Sequence, residues 1–138
     1  MKLVLKKINQ TQHSSLTNYG YLIVRVCFGL LLLKHGYPKI TQFEKYVQHF
    51  SDPLGVGVQT SLLLVIFAEV ICALFIALGL LTRLAAIPVV INFIIIFFVV
   101  HGNDSFGDRE LAAVYLMLAS GILLMGSGKI SVDRKLGF

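Results

Sequence analysis

Residues 19–33 read YGYLIVRVCFGLLLL, and residues 61–81 read SLLLVIFAEVICALFIALGLL. Each is an almost unbroken apolar run with one charge inside it, Arg25 in the first and Glu69 in the second. About 20 apolar helical residues cross the hydrocarbon of a bilayer, so both runs predict membrane spans. A charge at bilayer depth costs roughly 2.5 kcal/mol or more, so it turns toward the protein interior and takes a partner. Two opposite charges in successive spans predict each other as that partner.

Two more apolar runs, at 84–100 and 110–126, join 19–34 and 60–81 to make four predicted spans. Composition agrees: 57% of the 138 residues are hydrophobic and 14% charged. A soluble domain of this size cannot bury so much apolar surface, and the length admits one domain. The expected fold is an all-α integral membrane protein, a four-helix transmembrane bundle forming one domain over residues 1–138. In the loop between the first two spans, Ile40, Phe43, Tyr46, Val47 and Phe50 recur at helical spacing opposite Gln42, Glu44, Lys45, Gln48 and His49. That pattern predicts a short amphipathic helix, preceded by Pro38 and ended by the turn at 53–57. It either lies in the outer interface or packs over the bundle as a plug.

Twelve Lys and Arg against seven Asp and Glu give a net charge of +5. Basic residues concentrate on cytoplasmic loops, and Lys2, Lys6, Lys7, Arg83, Lys129, Arg134 and Lys135 outnumber Lys34, Lys39, Lys45 and Arg109. The expected orientation is N-in and C-in, with 1–17 and 127–138 as cytoplasmic tails. Residues 1–17 hold no apolar core, so they read as a tail and not as a cleaved signal. No basic segment interleaved with aromatics points to nucleic acid; the expected partner is the lipid bilayer. Cys27 and Cys72 both sit in apolar runs without a C-x-x-C. They read as small hydrophobes, with a bridge between them left open.

Depth follows from a rise of about 1.5 Å per residue. Arg25 lies ten residues before His35, Glu69 about nine residues into its span, and Asn92 nine residues before His101. Each comes out near 15 Å from the outer surface, so Arg25, Glu69 and Asn92 are expected in one layer. Tyr115, with Tyr21 and Ser120, can extend it. Such a layer is either glue between helices or a site for a polar head group, a quinone carbonyl or a proton path. A second layer, at the outer rim, holds His35, Lys39, His101 and Glu110 together with Lys34, Asp104 and Asp108. Two histidines on different helices can ligate haem or relay protons, although rim histidines more often cap helix ends. No spacing of ligands suggests a metal, and no phosphate loop, nucleophile elbow or dinucleotide fingerprint is present.

The order and spacing of these pieces resemble the DoxX family of small four-span membrane proteins, over about residues 21–133. The matching pieces are Arg25, Gly29, His35-Gly36 and Lys39 in the first span. Glu69, LGLLTR at 78–83 and Ala85-Ala86 follow, then His101, Phe106, Glu110 and Tyr115, and GSGKISVD at 126–133. One departure is Cys72-Ala73, where the family often has glycines. The resemblance implies a bacterial-type plasma-membrane protein with both ends cytoplasmic. Some relatives are small subunits of thiosulfate:quinone oxidoreductases, and others associate with thiol-handling and superoxide-removing partners.

The function expected first is therefore a quinone-linked membrane subunit of an oxidoreductase complex, with quinone as the cofactor and soluble or membrane redox proteins as partners. Nothing here binds a flavin, so a quinone or a partner subunit must carry the electrons. The alternatives are a non-enzymatic membrane scaffold or assembly factor, and a small transporter that would need to form a homo-oligomer.

Overall fold

Runs of Leu, Ile, Val and Phe with few turn residues form long helices here, joined where glycine, proline and aspartate cluster. The computed structural model describes residues 2–137, and side chains from residue 15 onward. Among the described residues every regular element is helical. In chain order they are α1 (Lys2–Thr41), α2 (Phe43–Val47), α3 (Val58–Leu78), α4 (Thr82–Val100), α5 (Phe106–Met125) and α6 (Val132–Leu136). Three stretches are long and apolar enough to cross a membrane: Ser15–Thr41, Val58–Leu78 and Thr82–Val100. The expected run at 110–126 coincides with α5, a helix of 20 residues. Its first turns carry Asp108, Arg109 and Glu110, which shorten its apolar part.

Two expectations for the first loop change. Pro38 does not precede a new helix but sits inside α1. The helix continues past it because Gln42 N donates to Pro38 O at 2.9 Å and the Thr41 hydroxyl to Tyr37 O at 3.3 Å. Ile40 accordingly belongs to α1, Phe50 lies beyond α2, and the separate helix is only five residues long. The loop that follows is pinned by Asp52, which accepts from Ser61 Oγ at 2.7 Å, Gly57 N at 2.8 Å and Val56 N at 3.1 Å. These bonds, Ser61's first, hold the Asp52 carboxyl below its ordinary range.

α1 and α3 run antiparallel and touch through small residues. A Cβ on Gly29 would come within 2.7 Å of Ala73 O and of Ala77 Cβ, and one on Gly36 within 3.0 Å of Glu69 Cβ. Small residues let membrane helices approach closely. Ala73 thus makes a close contact, because a glycine stands on the facing helix. Phe28 from α1 and Phe93 from α4 both meet Tyr115 of α5, with ring centroids 5.8 and 5.0 Å apart. Phe28, Leu32, Leu62, Ile76, Val89 and Ile122 fill the interior, while Leu30, Leu64, Phe67, Ile91 and Phe98 face outward as an apolar coat. Cys72 is buried in that interior, Cys27 faces outward, and both are free thiols.

The α3–α4 hairpin turns earlier than the sequence suggests, at residues 79–81. Gly79 takes a left-handed backbone (φ 73°), which glycine adopts without steric cost. Leu81 follows it at φ 46°, unusual for a branched side chain.

Candidate functional site

The polar residues of the spans form two clusters at opposite ends of the bundle. The first lies at the end that carries the hairpin turn. Arg25 is 1% exposed there. Its Nη1 donates to Ser127 O, and its Nη2 to Ile130 O at 2.9 Å. One turn away the Tyr21 hydroxyl donates to Gly126 O. A Cβ on Gly79 would lie 2.6 Å from Arg25 Nη1, so the guanidinium occupies the space that the glycine leaves open. Asp133 then ties the chain's last segment to the hairpin. Its carboxylate accepts from Leu81 N at 2.6 Å and Thr82 N at 3.2 Å, and its own N–H donates to Gly79 O at 2.9 Å. A carboxylate on the free N–H groups of a helix start satisfies donors that have no partner within the helix, and it favourably meets the positive end of the helix dipole. It also holds Leu81 in its unusual conformation. Residues 127–137 are thus a clasp over α1, α3 and α4.

This corrects the predicted pairing of Arg25 with Glu69. In the antiparallel register Gly36 meets Glu69, Gly29 meets Ala73 and Ala77, and Arg25 meets Gly79. Glu69 and Gly79 are ten residues apart, about 15 Å along a helix. The depth estimate took His35 as the end of the first helix, whereas α1 continues to Thr41. Arg25 and Glu69 therefore belong to different layers, and Arg25 finds its acceptors in backbone carbonyls.

The second cluster lies toward the end that carries the long loop and residues 101–105. Glu69, 4% exposed, forms an ion pair with Lys39, whose Nζ also donates to His35 O at 3.1 Å. Glu69 sits in a π-helical turn, Phe67–Cys72, within α3; such turns frequently accompany functional sites. The pair borders two cavities. The larger, about 480 Å³, lies between α3 and α4 beneath the loop. Its wall is apolar, with Leu54 from the loop, Leu64 and Phe67 from α3, and Ile91 and Ile95 from α4. Asn92 also lines it. That residue is 8% exposed, and its Nδ2 is buried without a hydrogen-bond partner. A buried amide donor left unpaired is costly, by about 1–3 kcal/mol.

The smaller cavity, about 200 Å³, shares Lys39, Glu69 and His101 with the larger and adds His35, Asp108 and Tyr115. Tyr115 is held by stacking on Phe93 and by the edge of the His35 ring, 5.6 Å away. His101 Nδ1 meets Asp104 Oδ2 at 2.7 Å on the surface.

Of the expected residues, the structure brings Glu69, Asn92, Tyr115, His35, Lys39 and His101 together. Arg25 belongs to the clasp, joined there by Tyr21. Glu110 is exposed and lines neither cavity; Asp108, two residues earlier, takes the position expected of it. Among the described residues no group of three or more His, Cys, Asp or Glu is placed to hold a metal ion. Phe50, Ser51, Pro53 and Leu54 of the loop also line the larger cavity; in the sequence only Phe50 carries a signal, and it reads there as part of a helix face.

The larger cavity combines an apolar wall, the unpaired Asn92 amide donor, the Lys39 ammonium, the Glu69 carboxylate and the His101 imidazole. That set suits a hydrophobic molecule with a carbonyl or hydroxyl head. The family model described as DoxX matches residues 20–102, a stretch that holds Arg25, His35, Lys39, Glu69, Asn92 and His101 and ends before the clasp. No curated protein and no solved structure matches the chain.

Proposed function

The chain belongs to the DoxX family, a small multi-span membrane family, and from that premise we propose that it is a quinone-binding membrane subunit of an oxidoreductase complex. In this reading α5 is the fourth span and α2 lies at the outer interface. Both termini face the cytoplasm, and the long-loop end faces outward, as the distribution of Lys and Arg favours. The quinone head would lie in the larger cavity, with Asn92 Nδ2 and Lys39 Nζ as donors to its carbonyl oxygens and Glu69 as an acceptor for a hydroxyl. The quinone would supply the electron-carrying chemistry. The protein's own residues orient the head and keep it dry.

The observation that carries this reading is the unpaired Asn92 donor on an apolar wall beside a single ion pair. A ligand carbonyl is the partner such a donor lacks, and apolar chambers with few polar groups are the usual form of small-molecule sites. The test is binding of decylubiquinone to the purified protein in lipid nanodiscs. The wild type should bind saturably, and Asn92→Ala should bind about 5–10-fold more weakly, the effect of one buried hydrogen bond. Absence of saturable binding by the wild type would count decisively against the proposal.

A further inference from the structure

The two cavities meet at one ion pair, and they differ in what else they touch. The larger is walled by side chains that face the surrounding apolar phase, Leu64, Phe67 and Ile91 among them. The smaller has Phe93, Ile96, Leu111 and Ala112 in its wall, and among them titratable groups that come from the elements packed around Glu69. They are Lys39 and His35 from α1, His101 following α4, and Asp108 and Tyr115 from α5. His35 and Asp108 are exposed, and His101 pairs with the exposed Asp104. Among the described residues the Arg25 end of the bundle offers no comparable route. Between Glu69 and Arg25 the interior is Phe28, Leu32, Ala73 and Ile76, all buried and apolar.

We propose that the smaller cavity is a proton-exchange route that connects Glu69, and hence a ligand in the larger cavity, to the aqueous phase on the 101–105 side and to no other. The clause about the ligand rests on the quinone reading; the route itself does not. The step is a proton transfer alone. An O–H bond breaks on a hydronium ion, or an N–H bond on an imidazolium, at the mouth and leaves water or neutral imidazole; an O–H bond forms on a Glu69 carboxylate oxygen, and no electron moves. Lys39 is then released from its ion pair but keeps its bond to His35 O, and Asp108 shares its cavity. Histidine suits the mouth of such a route because it titrates near neutral pH. A ligand that gives up or takes up protons beside Glu69 therefore exchanges them with one side of the membrane only.

The test uses the full chain in sealed proteoliposomes, with the side that bears residues 101–105 identified by protease accessibility. Dicyclohexylcarbodiimide, which modifies protonated carboxyl groups in apolar surroundings, is added while the pH on the two sides is set independently. Peptide mass spectrometry then measures the adduct on Glu69. Labelling should rise several-fold when the pH on the 101–105 side falls from 8 to 5.5, and it should ignore the same change on the opposite side. A His101→Asn, Asp108→Asn variant should slow the response while leaving the protein folded, since both side chains lie at the surface. Labelling that follows the opposite side, follows both sides equally, or never reaches Glu69 would overturn the route. Decylubiquinone binding measured on the same preparation reports separately on the quinone reading, so the two can fail independently.

Discussion

Replacing Arg25 with Met should destabilise the protein by about 3–5 kcal/mol, read as a loss of folded protein in a reversible detergent-unfolding titration. The side chain is almost fully enclosed and donates to the carbonyls of Ser127 and Ile130. Removing it strands two buried acceptors at about 1–3 kcal/mol each and opens a space beside Gly79. Arg25→Lys should restore little of this, because a single ammonium cannot span two carbonyls as the planar guanidinium does. The loss should come with increased proteolysis of residues 127–137, since the clasp has lost its anchor. Ligand binding by the fraction that remains folded should be unchanged, because Arg25 belongs to a different layer from Glu69. Loss of binding without loss of stability would contradict the assignment of Arg25 to the clasp.

The second large effect concerns Lys39 and Glu69. Lys39→Met should cost about 3–5 kcal/mol, the usual effect of leaving one member of a buried ion pair without its partner. Glu69→Leu should cost a similar amount for the same reason. The double variant should recover most of that stability, because two apolar side chains replace the pair in an already apolar wall. It should not recover decylubiquinone binding. Folding and binding would then separate in one experiment. Recovery of both would reduce the pair to helix glue, as the scaffold reading requires.

The helices could be read from the chain, but the meeting of their polar residues could not. Apolar runs marked α3 and α4 to within a few residues, because continuous Leu, Ile, Val and Phe with few breakers leaves little freedom in a bilayer. The partner of Glu69 is not legible in the sequence, because depth depends on where a helix ends. The sequence suggested a stop near His35, whereas α1 runs through Pro38 to Thr41, and that extra length brings Lys39 to Glu69. The register is set by Gly29 against Ala73 and Ala77, a contact that periodicity within one helix does not encode. Arg25's acceptors lie more than a hundred residues further along the chain. Only the GSGKISVD motif hinted at them, and backbone carbonyls carry no signature in a sequence. Asn92 is legible in the sequence as a polar residue within an apolar run, but its lack of a partner is a property of the assembled cavity.

The two clusters divide the work of the bundle. The clasp fixes the hairpin end, where Asp133, Arg25 and Tyr21 all engage loop backbone. The Lys39–Glu69 end keeps space between α3 and α4.

The most direct measurement is photolabelling of the protein in native membranes with an azido-quinone, followed by peptide mapping. The account predicts adducts concentrated on the segments that carry Leu64, Phe67, Ile91 and Ile95, abolished by excess decylubiquinone and strongly reduced in Asn92→Ala. Adducts spread over the outward faces of α1 and α5, and undiminished by the competitor, would contradict it.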